Sequence, residues 1–155
     1  MRTTPILLIA AIAAILTACG SNKKKDRPGD KEDTAKTLIS WEASLNDSTG
    51  LIEVNRSGQD GPDSLTITSV IAFLNSQYPN VQLEYIRTSA DTLFIAIPDA
   101  MYLTQQMGST GPALYFAAAV YNLTEIPGIR FVNFDFEEGD HAQPSVLNRD
   151  SFNKE

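Results

Sequence analysis

Residues 110 to 138, TGPALYFAAAVYNLTEIPGIRFVNFDFEE, form a unit with a start, a turn and a finish, and no other stretch narrows the possible folds as far. Thr110 is of the type that caps a helix, and Pro112 falls in the first turn, where its missing N–H costs nothing. Leu114, Ala117, Ala118 and Tyr121 then recur at helical spacing. Pro127 cannot donate to a helix and Gly128 tolerates a left-handed turn, so the pair predicts the stop. Beyond it Val132, Phe134 and Phe136 fall on one face of a strand, with Asn133 and Asp135 on the other.

The preceding chain supplies the partners such a unit needs. Residues 37 to 43 and 51 to 55 read as short strands, and Asn46-Asp47-Ser48-Thr49-Gly50 between them carries the turn chemistry of a hairpin. Trp41, the single tryptophan, reads as a cover for core surface, with a stacking platform for sugar as the alternative. Gly58, Gly61 and Pro62 make residues 56 to 63 a loop. A helix is expected from Asp63 or Ser64, both good caps, with Ile67, Val70, Ile71, Leu74 and Tyr78 in one stripe and Pro79-Asn80 ending it. Val81, Leu83 and Tyr85 then alternate, and after a turn at Ser89-Ala90-Asp91 so do Leu93, Ile95 and Ile97, which predicts an antiparallel hairpin closed by Pro98. Residues 99 to 109, DAMYLTQQMGS, are the least regular. The order β(β)αββαβ predicts an α+β two-layer sandwich, with two helices on one face of a mainly antiparallel sheet. The domain is expected over residues 37 to 143, with 144 to 155 as a C-terminal tail.

Charge excludes one class of partner. From residue 37 onward the basic side chains are Arg56, Arg87, Arg130, Arg149 and Lys154, against fifteen acidic ones, a net charge of about −10. Nucleic-acid binding needs clustered Lys and Arg, so it is set aside.

The N-terminus predicts an address. Arg2 precedes an apolar run over residues 6 to 15, too short for a membrane span of about 20 residues, so residues 1 to 18 read as a cleaved export signal. It ends Leu16-Thr17-Ala18-Cys19-Gly20, similar to the lipobox of bacterial lipoproteins. That similarity implies a Cys19 thioether-linked to diacylglycerol and N-acylated with a palmitate-type chain. Several chains at about 0.8 kcal/mol per buried methylene make a stable membrane anchor. Cys19 is also the only cysteine, so an exported body has no disulfide and no thiol nucleophile. Residues 19 to 36 are polar and apolar-poor and read as a disordered tether to the envelope membrane, on the periplasmic or the surface side.

From about residue 70 to 138 the chain resembles the GerMN domain, named for sporulation and germination proteins. The resemblance is carried by the helix VIAFLNSQYP, the strands VQLEYIR and DTLFIAIPDA, the lead-in Gly108-Ser109-Thr110-Gly111, and the helix-turn-strand NLTEIPGIRFVNFDFEEG. It implies an accessory module of envelope lipoproteins, found in sporulation and cell-wall contexts, that binds rather than catalyses.

The densest titratable constellation is Asp135, Glu137, Glu138, Asp140 and His141, the last being the single histidine. Alternate carboxylates suit a hard cation, but no DxDxDG loop accompanies them and one histidine does not complete a zinc site. Solvated strand-edge charge is therefore the reading, with no metal and no cofactor. Ser109 or Ser145 with His141 lacks the GxSxG elbow of a hydrolase. A glycosidase needs only two carboxylates, so the alternative to a binding module is an envelope glycan hydrolase using Asp135 and Glu137. Three Asn-x-Ser/Thr sequons, at Asn46, Asn55 and Asn122, are not assigned a role. Tyr102, Tyr115, Phe116 and Tyr121 read first as core and second as an aromatic face. Recognition is expected on loops, namely Tyr102, Gln106, Gly108, Ser109, Thr110 and Gly111 together with the Glu125, Pro127 and Gly128 turn. The expected partner is another envelope protein or a cell-wall glycan.

Overall fold

The computed structural model describes residues 38–152, so the signal, Cys19 and the tether lie outside the described residues. Six strands and two α-helices follow in order: β1 (Ile39–Leu45), β2 (Ile52–Asp60), α1 (Ile67–Gln77), β3 (Glu84–Ser89), β4 (Thr92–Ala96), α2 (Gly111–Leu123), β5 (Phe131–Asp135) and β6 (Ser145–Leu147). A five-residue π-helix, Tyr102–Gln106, leads into α2, and a 3-10 turn, Arg149–Phe152, follows β6. The class is α+β, with helices packed against a mainly antiparallel sheet of order β3-β4-β5-β6. Only β4 and β5 run parallel, because the chain between them crosses over through the π-helix and α2.

The register explains the core. Leu93 pairs with Val132 and Ile95 with Phe134, so the alternating apolar residues of two strands meet on one face. Against that face pack Val70, Ile71 and Leu74 of α1 and Phe116, Val120 and Leu123 of α2. Phe116 lies 4.9 Å from Phe134, ring centre to ring centre. On its other side α2 meets β1 and β2, which form a separate two-stranded sheet. The helix is thus covered nearly all round, with Ala117, Ala118 and Ala119 fully buried; small side chains let two layers approach one helix.

Several boundaries differ from the sequence reading. Thr66, not Asp63 or Ser64, caps α1, its hydroxyl accepting from the Ser69 N–H at 3.3 Å. Thr110 sits at the start of α2 but makes no side-chain cap, since its backbone is already helical. β2 continues through residues 56 to 60 where a loop was expected: a bulge opposite Ile39 and Trp41 absorbs the extra residues, and Gly58 there takes φ +71. Tyr85 does not join the core with Val81 and Leu83. Those two are buried in the segment before β3, where the Asn75 amide grips the Leu83 backbone, whereas Tyr85 lies on an edge strand and is 50% exposed. Residues 144 to 152, expected as part of a C-terminal tail, join the domain, for β6 pairs with β5 and Phe152 packs on the core.

One core group is mismatched. The Tyr115 side chain is 1% exposed, stacks edge-on against Tyr78 at 5.1 Å, and its hydroxyl finds no hydrogen-bond partner among the described residues. Burial therefore pushes its phenol far above the ordinary value, with the neighbouring Tyr78 adding to the rise. Tyr115→Phe keeps the ring and removes a desolvated donor. It is expected to raise the unfolding free energy by about 1 kcal/mol in urea denaturation.

Candidate functional site

The two ends of α2 carry different chemistry. At its C-terminal end, Asn122 is 3% exposed and points toward β1. Its Oδ1 accepts from the Trp41 N–H at 3.0 Å, and its Nδ2 donates to the Trp41 carbonyl at 2.8 Å and to that of Ala118 at 2.8 Å. The side-chain amide thus stands in for a neighbouring strand over one residue of β1. Three residues on, Glu125 joins three elements. Its Oε1 accepts from Trp41 Nε1 at 3.1 Å and Arg149 Nη2 at 2.6 Å, and its Oε2 from Arg56 Nη2 at 3.3 Å. Arg149 also donates to Thr124 Oγ1 and to the Tyr121 carbonyl, placing a cation at the helix C-terminus, where the macrodipole favours one.

Burial alone would raise the Glu125 pKa. The hydrogen bonds from Arg149 and Trp41, with the charges of Arg56 and Arg149, outweigh it and hold the carboxyl below the usual carboxylate range. Trp41 is closed off as well: the Arg56 guanidinium lies 3.9 Å over its ring and Tyr121 meets it edge-on at 5.3 Å. The half-buried ring is thus engaged at the joint between β1 and the end of α2, with Arg56 on its face.

The expected contact residues divide between the two ends. Pro127 and Gly128 are exposed beside the committed Glu125, while Gln106, Gly108, Ser109 and Thr110 are exposed, and Tyr102 and Gly111 half-buried, before α2 begins. Thirteen helical residues separate the groups, about 20 Å at 1.5 Å per residue, so they do not make one surface. Tyr102 and Gln106 instead share a cleft of about 370 Å³ with Pro79, Asn80, Gln82 and Asp99, none of which the sequence reading assigned to it. Pro79-Asn80 was legible as a helix stop, but nothing in the sequence places it beside residue 106.

The cleft wall is held firmly. Within the π-helix Leu103 and Thr104 are buried, the Met107 N–H reaches back to the Tyr102 carbonyl at 3.0 Å, and the His141 N–H donates to the Thr104 carbonyl at 3.0 Å. Gly139 permits that strap, because a Cβ there would lie 2.7 Å from the Thr104 Cβ. The acidic constellation does not converge. Asp135, Glu137, Glu138, Asp140 and His141 are all exposed, and among the described residues no three His, Cys, Asp or Glu side chains come together to hold a metal.

Compared with known proteins, the chain matches no family model, no curated protein and no solved structure.

Two outcomes are expected at the Glu125 end. Asn122→Ala should destabilise by about 3 kcal/mol in urea denaturation, because it removes three bonds and strands the Trp41 N–H and carbonyl. Glu125 has a folded-state pKa below its ordinary value of 4.5, so the stability it contributes is complete above that pH and is lost as pH falls through the depressed value. Thermal melts below pH 4.5 should show that loss in the wild type, whereas Glu125→Gln should be less stable at neutral pH with a shallower acid limb.

Proposed function

We propose that this chain is a lipid-anchored envelope protein whose GerMN-like α+β domain binds another envelope component without catalysing a reaction on it. The anchor is assigned to Cys19, on the Leu16-Thr17-Ala18-Cys19 sequence, with residues 19 to 36 as the tether. One observation supports the binding half above the rest: the domain has a polarity. At the C-terminal end of α2, Asn122 and Glu125 line a pocket with Leu38 and Arg56 and are held by paired polar contacts. The π-helix and its cleft precede the other end of that helix. The cleft side chains therefore lie outside the joint that holds the hairpin to α2, which leaves them available to a partner.

The contact surface in this reading is Tyr102, Gln106 and their cleft neighbours, and Glu125 belongs to the internal joint. Intact-mass analysis of protein from native membranes should give a mature N-terminus at Cys19 bearing diacylglyceryl and acyl mass. Cys19→Ala should lose that mass and leave the membrane fraction. Mature protein without acyl mass at Cys19 would remove the anchoring half of the reading.

A further inference from the structure

Apart from the Tyr102 ring, one side of which packs against the core, neither the core nor the Glu125 joint makes use of the side chains in the cleft between the turn after α1 and the π-helix. Asn80 and Gln106 make no side-chain hydrogen bond among the described residues. Gln82 spends Nε2 on the carbonyls of Asn75 and Pro79, which leaves its Oε1 as a free acceptor. Asp99 accepts the Met101 N–H through Oδ1, leaving Oδ2. Tyr102, four residues from Gln106 and so on the same side of its helix, adds a half-buried ring and a hydroxyl.

We propose that this cleft binds a neutral carbohydrate, one or two rings of a longer glycan. A sugar offers adjacent hydroxyls, each both donor and acceptor, and an apolar face of ring C–H groups. Planar amides and a carboxylate answer the first, and a tyrosine ring with Pro79 answers the second. The volume of about 370 Å³ lies within the range of small-ligand sites, and a protein partner would instead need a broad apolar centre. An anionic ligand is disfavoured, since Asp99 is the one charged group lining the cleft and the body around it is acidic.

Preorganisation is the second, independent support. A π-helix is rare and is held only where its surroundings impose it, often at functional sites. Here Thr104 fixes it twice: its N–H and its hydroxyl both bond to the Ala100 carbonyl, at 2.8 and 2.9 Å. The opposite wall is set by the end of α1, where the Tyr78 N–H closes on Leu74 and the Val81 N–H on Tyr78. Two walls with a fixed backbone carry the free amides, so binding has to order only the side chains themselves.

The inference rests on the envelope-binding reading for where the glycan is met, and its test separates the two. Full-length protein in detergent is screened against an array of neutral oligosaccharides that includes N-acetylglucosamine tetramer, cellotetraose and mannotetraose, and any hit is titrated calorimetrically. The expected result is saturable binding, weakened at least tenfold by Tyr102→Ala and by the pair Asn80→Ala and Gln106→Ala. Asp47→Ala, exposed in the turn between β1 and β2 and outside the cleft, should bind as the wild type does. Urea denaturation of each variant shows whether it is folded, and Gln106→Glu supplies a second surface change that leaves the π-helix backbone alone. No neutral hit, or a hit that survives the cleft variants, overturns the proposal. Absence of a glycan hit alongside specific crosslinking to an envelope protein overturns the carbohydrate assignment while the envelope-binding reading stands. Loss of the Cys19 acyl assignment does the reverse.

Discussion

The architecture depends on how one amide couples the N-terminal hairpin to α2. A two-stranded hairpin on its own is marginally stable in water, and β1 and β2 share no hydrogen bonds with the main sheet. Asn122 makes that hairpin part of the domain by bonding both backbone groups of Trp41. The cost of burying a primary amide is offset because each of its polar atoms has a partner. Once the hairpin is fixed, the outer side of α2 is covered, and its run of small apolar residues stays out of water.

Glu125 extends the same coupling to the C-terminus. Arg56 comes from β2 and Arg149 from the turn after β6, so two cations distant in sequence meet one carboxylate at a helix end. Each pair is partly exposed, and each alone would contribute little. Their geometry matters more than their number. The shared carboxylate also receives the indole N–H, which fixes the Trp41 ring under Arg56 and edge-on to Tyr121.

Period-two alternation made the core strands legible. Leu93, Ile95 and Ile97, with Val132, Phe134 and Phe136, were readable as buried faces because a sheet lined on one side leaves no other arrangement. The reading failed where tertiary contact overrides local pattern. Tyr85 continues the alternation of Val81 and Leu83, yet it belongs to an edge strand that the helices do not cover. β6 is three residues long, below what periodicity can register, and exists because β5 offers it an edge. Asn122 was read as one of three sequons, although a single amide within the apolar run AAAVYNL is itself a sign of a buried polar contact. The candidate site was half legible. Tyr102 and Gln106 stood out through irregularity, and Asp99 lies in the same stretch without having been assigned, but Asn80 and Gln82 are drawn to them only by the packing of α1 beside the crossover.

The division of labour along α2 follows from these contacts. At its C-terminal end polar side chains are paired with one another, so that end is rigid and chemically spent. At the other end the backbone carries the constraint instead: Ala100, Thr104 and His141 hold the π-helix through main-chain carbonyls and the Thr104 hydroxyl. Backbone restraint leaves side chains free, which is why Asn80 and Gln106 have no intramolecular partner among the described residues while Asn122 has three bonds. Substitutions at the first end should therefore be felt as stability more than those at the second, because the groups that keep the fold together are not the ones left facing solvent.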